Sequence, residues 1–502
     1  MANYINIKIN IEQGGICFTK DELPAPRSPF QIDDDDTKAN NIRVELGIAK
    51  VFHKVLNLIK TERELFQKED FELLGEMLSK IMFGRINNND DIRNFIMKIV
   101  EQSLEINNSS SKTICRIFLE FDQKSGVAML PWEYILYKTR SLDVAKSIYL
   151  SANLKSRFHL MRRVKDNNYE GPLSDRLFVI VLVNVAGNAD VEPQIDSRTG
   201  ELKTIEKTFK TLQDKFPDKL VVEYIESTPF NKIKQEVEDI YKKWETDYQQ
   251  KPNYVIHYLG HSMLDEQVGK LVTLSAETGK PDWVEDKKFA AIFNEEKLNI
   301  VQPCLVCFQS CDSAKIGSFN DILRGVAYEF TKINIPAVIG MQNEINTAYS
   351  CAFFDRFYEN ILNAKDVAEA VTAGRDYLGR EYNDTDAYIN NSFGSPVLFI
   401  TTKEPIQILQ PTAEPLKMVK TADARPEMNM NIRNAAMMDR ISSNSNMNEN
   451  KTASIYLPDN DDTLYRSVKT VQSDLNPVSG AQRIIDPKDT SSPNIQPKNT
   501  DE

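Results

Sequence analysis

Cysteine, histidine and glycine are scarce in this chain, with six, four and nineteen residues among 502. The cysteines, at positions 17, 115, 304, 307, 311 and 351, are too few and too unevenly spaced to staple a fold. That excludes a disulfide scaffold and reads as reduced thiols. No apolar run approaches the roughly 20 residues of a membrane-spanning helix, so no membrane role is expected. No glycine-rich loop follows a strand, which removes the usual phosphate cradle of nucleotide-binding proteins. A basic excess is also missing: the net charge is −12, opposite to that of a phosphate-backbone binder, and no direct nucleic-acid binding is expected. No repeat of about 20 to 50 residues is present. The first ten residues alternate apolar and polar side chains and lack the continuous apolar stretch of a secretion signal, so a cytoplasmic location is expected.

What is present is ordinary globular composition, 41% apolar and 27% charged, in a chain long enough for two units or for one large domain with a tail. Residues 3–19 read as a hairpin turning at Gly14-Gly15, with Ile5, Ile7 and Ile9 on one face of its first strand. Apolar spacing from Ile42 to Leu104 predicts three helices. Residues 113–122 return to strand composition, and the proline in Leu130-Pro-Trp-Glu133 starts a turn or short helix.

From Leu177 a β-branched run opens an alternation of strands and helices. Strands are expected at 220–225, 254–258, 304–309 and 337–341, and helices at 201–216, 230–249, around 322–331 and 347–362. That alternation predicts an α/β fold, a mostly parallel sheet flanked by helices, with ligands beyond the carboxyl ends of its strands. After about residue 402 the composition turns to Asn, Ser, Met, Pro and Asp, as expected of a disordered tail.

Two of the four histidines stand together in Tyr254-Val-Ile-His-Tyr-Leu-Gly-His-Ser262, an apolar strand entering a small-residue turn. Fifty residues later a second apolar strand, Cys304 to Gln309, enters Ser310-Cys311-Asp312-Ser313. Parallel neighbours would bring His261 beside Cys311, and a thiol nucleophile needs a base or an imidazolium there, because the thiolate is the attacking species. Amide groups around Gly260 and Cys311 are candidate donors to an oxyanion. The spacing of Cys304, Cys307 and Cys311 invites a metal or iron–sulfur reading, but strand alternation turns Cys304 and Cys307 to opposite faces. No metal or other cofactor is expected.

These segments resemble the CHAT-domain peptidases, relatives of caspases and separases. The resemblance extends to Leu130-Pro-Trp-Glu133, to Ile335-Pro-Ala-Val-Ile-Gly340, to Phe357-Tyr358, to Ala368-Glu369-Ala370 and to Arg375, and covers roughly residues 1–402. It implies a caspase-like core at 166–402, an α+β pseudo-caspase-like region at 1–165 and an extra tail at 403–502. It also implies catalysis by His261 and Cys311, with His257 structural. Trp132 and Glu133 read as a packing and hydrogen-bonding element at a domain junction. This chain has Ser262 where relatives commonly have glycine, and Gln309-Ser310 where Ser-Ala is usual. Asp312 and Gln342 are the expected substrate-pocket residues, Asp312 favouring a basic residue at the cut. The activity implied is a cysteine endopeptidase acting on a protein substrate, with an activating or regulatory protein partner, in a bacterial antiviral-defence or cell-death pathway. The alternative is an inactive caspase-like interaction module.

Overall fold

A computed structural model describes residues 3–11, 16–22, 28–31, 68–83, 113–121, 128, 130–138, 147–152, 158–184, 201–226, 228–265, 268–311, 313, 317–319, 322–343, 345, 347–381 and 392–411. Met1–Thr421 form one compact unit, and the second, Ala422–Glu502, lies outside the described residues.

The first part of the chain contributes β1 (Asn3–Ile11), β2 (Ile16–Glu22), β3 (Ser28–Gln31), α1 (Lys68–Phe83) and β4 (Thr113–Phe121). A 3-10 turn at Trp132–Tyr134 leads to the short β5 (Leu136–Lys138) and β6 (Ser147–Tyr149), then to β7 (Phe158–Asn167). Next come β8 (Leu177–Asn184), α2 (Glu201–Lys215), β9 (Leu220–Glu226), α3 (Phe230–Tyr248) and β10 (Tyr254–Gly260). A small antiparallel sheet follows, of β11 (Ser262–Asp265), β12 (Val268–Leu274) and β13 (Pro281–Glu285), then α4 (Asp286–Ala291) and β14 (Leu305–Gln309). The ribbon of β15 (Gly317–Phe319) and β16 (Ile322–Arg324) precedes α5 (Val326–Lys332), β17 (Ala337–Met341), α6 (Thr347–Leu362), α7 (Val367–Glu381) and β18 (Pro396–Thr402).

One sheet of eleven strands runs through the unit in the order β3-β2-β1-β4-β7-β18-β17-β14-β10-β8-β9. Pairing is parallel except at the β1–β2–β3 edge and between β17 and β18. All eight residues of β8, Leu-Phe-Val-Ile-Val-Leu-Val-Asn, are buried, as a parallel strand covered on both faces requires. Alternation divides them. Val179 and Val181 face the layer built with α2, α6 and α7, while Phe178, Ile180 and Leu182 face the layer of α3, α4 and α5. On α3 the stripe Ile233, Val237, Tyr241 and Trp244 recurs at helical spacing and is buried. Truncating Trp244 to alanine would cost about 3–5 kcal/mol.

The expected mostly parallel, helix-flanked α/β sheet is observed. The boundary expected at 165/166 falls inside β7, which bonds to β4 on one side and to β18 on the other, so the sheet continues across it. The helix expected around 322–331 begins at Val326: residues 322–324 form β16, and Gly325, at φ 146°, takes a turn that only glycine adopts readily. Residues 403–411, expected in the tail, pack against the unit. Ile406, Ile408 and Leu409 are buried, and Gln410 N–H donates to Ser174 O at 2.9 Å. Apolar side chains at alternate positions let that segment close the core. The Gly14-Gly15 turn, the helices expected in 42–104 other than α1, and the tail beyond 411 lie outside the described residues.

Candidate active site

Parallel pairing of β10 with β14 has a constant offset of fifty residues, from Val255↔Leu305 to Leu259↔Gln309. His261 and Cys311 follow two positions later at the same offset, each just past its strand's carboxyl end. Cys311 is partly exposed, whereas Cys115, Cys304, Cys307 and Cys351 are buried. Cys304 and Cys307 are enclosed, and burial pushes both thiols well above the ordinary range, so neither supplies a thiolate.

The His261 backbone is held from the small sheet. Val272 N–H donates to His261 O at 3.0 Å, and the Tyr258 hydroxyl lies 2.9 Å from the same oxygen and 2.8 Å from Val272 O. Tyr258 is wedged between Phe289 and Phe308, and its burial raises the phenol, which keeps its proton. Gly260 pairs with Asn184, and a Cβ there would stand 2.7 Å from the Tyr258 hydroxyl and 2.8 Å from Asn184 O. Glycine is the residue that fits.

The Cys311 turn is pinned on two sides. On the side of His261, the Ser262 hydroxyl oxygen is 2.8 Å from that of Ser310 and donates to Cys311 O. Opposite, the buried Ser313 hydroxyl donates to Ser310 O at 2.9 Å and accepts from Met341 N–H at 2.8 Å, while Ser313 O accepts from Ala327 N–H at 2.8 Å.

His257 is engaged elsewhere. Its Nε2 is 3.0 Å from Gln309 Oε1 and its Nδ1 2.9 Å from the Tyr358 hydroxyl, while Gln309 Nε2 donates to Ser350 Oγ at 3.0 Å. An amide oxygen only accepts, so Nε2 carries the proton and Tyr358 donates to Nδ1. Burial lowers His257 to about 4, so it is neutral at physiological pH. Cys304, expected opposite Cys307, instead precedes β14, lies 3.3 Å from Tyr254 O through its sulfur, and shares one apolar layer with Cys307. Among the described residues no group of three or more His, Cys, Asp or Glu side chains is placed to hold a metal ion.

The CHAT domain family matches residues 92–393, more than half of the chain. This chain belongs to the CHAT-domain family. No curated protein matches it. It is similar to two solved structures of the Saccharomyces cerevisiae separase–securin complex, at 13% and 14% identity with TM-scores of 0.40 and 0.36. Each comparison covers 79% of this chain and 30% of the matched one. Raptor from Chaetomium thermophilum matches at 10% identity and a TM-score of 0.23, over 61% of this chain and 32% of its own. The chain thus spans about a third of the length of these matches.

Within the CHAT domain, Gln342 sits at the carboxyl end of β17, but its side chain is buried. Its Nε2 donates to Glu133 Oε2 at 2.9 Å and to Gly394 O at 2.6 Å, and its Oε1 accepts from Arg162 at 3.2 Å. That amide is thereby engaged with partners in the interior. Arg375 donates to Leu160 O and Pro396 O, tying α7 to β7 and β18. Asp312 lies outside the described residues. Tyr258 and Ser313 went unmarked by sequence reasoning. Tyr258 stood in the quoted histidine strand, on the face opposite His257, and alternation alone was the signal for it.

Proposed function

We propose that this CHAT domain is a cysteine endopeptidase whose nucleophile is Cys311 and whose proton carrier is His261. His261 takes the thiol proton, and the thiolate attacks the scissile carbonyl. Amide N–H groups around Gly260 and Cys311 donate to the oxyanion that forms. Collapse expels the amine, which receives the proton from His261, and leaves an acyl-thioester. Water, deprotonated by His261, then releases the acid and restores the thiol. The observation that carries this reading is the shared register of β10 and β14.

The proposed substrate is a protein, cut after a basic residue if Asp312 faces the pocket, with a regulatory protein partner and the defence or cell-death setting that the family resemblance implies. The test is labelling of the native protein and of the Cys311→Ala and His261→Ala variants with a peptide electrophile, beside a fluorogenic peptide panel. Labelling and cleavage lost in both variants are expected. Labelling that persists in Cys311→Ala, or native protein inert with every peptide and with the electrophile, would sink the proposal in favour of the inactive module.

A further inference from the structure

The backbone of Ser262 opens β11 directly after His261, while its side chain crosses to the neighbouring strand end. There its hydroxyl donates to Cys311 O and meets the Ser310 hydroxyl at an oxygen separation of 2.8 Å. A hydroxyl has one proton to give and lone pairs to receive. With the Ser262 proton directed to Cys311 O, the Ser310 hydroxyl is the donor to Ser262, and both side chains are satisfied. Both serines are buried, at 8% and 5% exposure, where a lost partner is not replaced freely by water.

The two hydroxyls that meet belong to the residue directly after His261 and the residue directly before Cys311. The far side of the same turn has its own anchor, through Ser313 to Met341 and Ala327. Loss of the Ser262 hydroxyl therefore leaves the Ser313 anchor on the side of β17 in place and removes the Ser262 bond to Cys311 O on the side of His261.

We infer that Ser262 is a positioning residue for the nucleophile: its hydroxyl sets the height of the Cys311 turn against His261, and so governs how effectively the imidazole generates the thiolate. This rests on the dyad reading above and goes further, because it assigns alignment to a side chain that bonds the Cys311 carbonyl oxygen. A displacement of about 1 Å in a reacting group costs on the order of 100-fold in rate. The effect should appear in turnover and in thiol reactivity before it appears in stability.

The test is the pH dependence of iodoacetamide alkylation at Cys311, located by mass spectrometry, in native, His261→Ala, Ser262→Ala and Ser262→Thr proteins, with kcat and KM on the best peptide. Native protein should react below the ordinary thiol range, and His261→Ala should lose that limb. Ser262→Ala should shift it towards higher pH and lower kcat about 10- to 100-fold with little change in KM. Ser262→Thr, which keeps the hydroxyl, should restore both. An ordinary thiol profile in native protein would overturn the dyad and the positioning role together. A His261-dependent native profile that Ser262→Ala leaves unmoved would overturn the positioning role alone. Equal losses in the alanine and threonine variants would assign Ser262 to packing and overturn it as well.

Discussion

Gln342 reaches 209 residues back along the chain to donate to Glu133 Oε2 at 2.9 Å. The same carboxylate oxygen accepts from Arg162 Nη2 at 2.6 Å, with the two ionic side chains 0% and 2% exposed. Arg162 also donates to Ala128 O and Leu130 O, so its guanidinium ties the Leu130-Pro-Trp-Glu133 turn to the middle of β7. Removing one member strands a buried charge. Glu133→Ala should lower the unfolding free energy by about 3–5 kcal/mol, while the double variant Glu133→Leu with Arg162→Leu should lose much less than the sum of its single changes. Urea denaturation checks both. A loss under about 1 kcal/mol in Glu133→Ala would contradict the burial.

Gln342→Ala separates pocket from core. Its amide has partners on three sides in the interior, so the expected result is a loss of about 1–3 kcal/mol in stability with the ranking of cleaved peptides unchanged. A changed preference at the cleavage position, at native stability, would return Gln342 to the pocket wall.

The folded chain should lose stability in acid through two buried imidazoles. Burial lowers His257 and His159 to about 4, from an ordinary value of 6.5. Between those values the unfolded chain binds more protons, so their contribution is complete above about 6.5 and is lost as the pH falls towards 4. Asp286 acts oppositely: burial raises it from 3.8 to about 6, so the folded state keeps its proton and its contribution declines as pH rises through that range. His257→Gln should flatten the acid slope of unfolding free energy by about 1.4 kcal/mol per pH unit, and Asp286→Asn should steepen it by a similar amount. Slopes that match the native protein in either variant would contradict the assigned shift.

The strands that lead to His261 and Cys311 were legible because they are uninterrupted apolar runs ending in small residues, and α2, α3 and α6 because their buried faces recur at helical spacing. β7 was not, since Arg162 and Arg163 break its apolar pattern. Both are buried there in ion pairs with Glu133 and Glu120, which meet them from elsewhere. The β11–β13 sheet was concealed in the same way by Lys270, Asp282 and short strand length. Partners such as Glu133 and Gln342 lie too far apart in sequence for any local pattern to join them. The serine pair was visible only as two departures from the family, without a sign that they touched.

The last prediction concerns the support beneath His261. Tyr258→Phe removes the hydroxyl facing His261 O and Val272 O but leaves Val272 N–H donating to His261 O, so a stability loss of about 1–3 kcal/mol is expected with the fold intact. Gly260→Ala is more disruptive locally, because its Cβ meets the Asn184 carbonyl oxygen at 2.8 Å, and that backbone atom is held by parallel pairing on β8. The strand end carrying His261 must shift instead. Cleavage should fall by about 100-fold in Gly260→Ala and by less in Tyr258→Phe. Thermal denaturation measured alongside separates misplacement from unfolding. A Gly260→Ala protein that cleaves at the native rate would mean that His261 tolerates the shift, and would remove the strand end from the set of features that align the dyad.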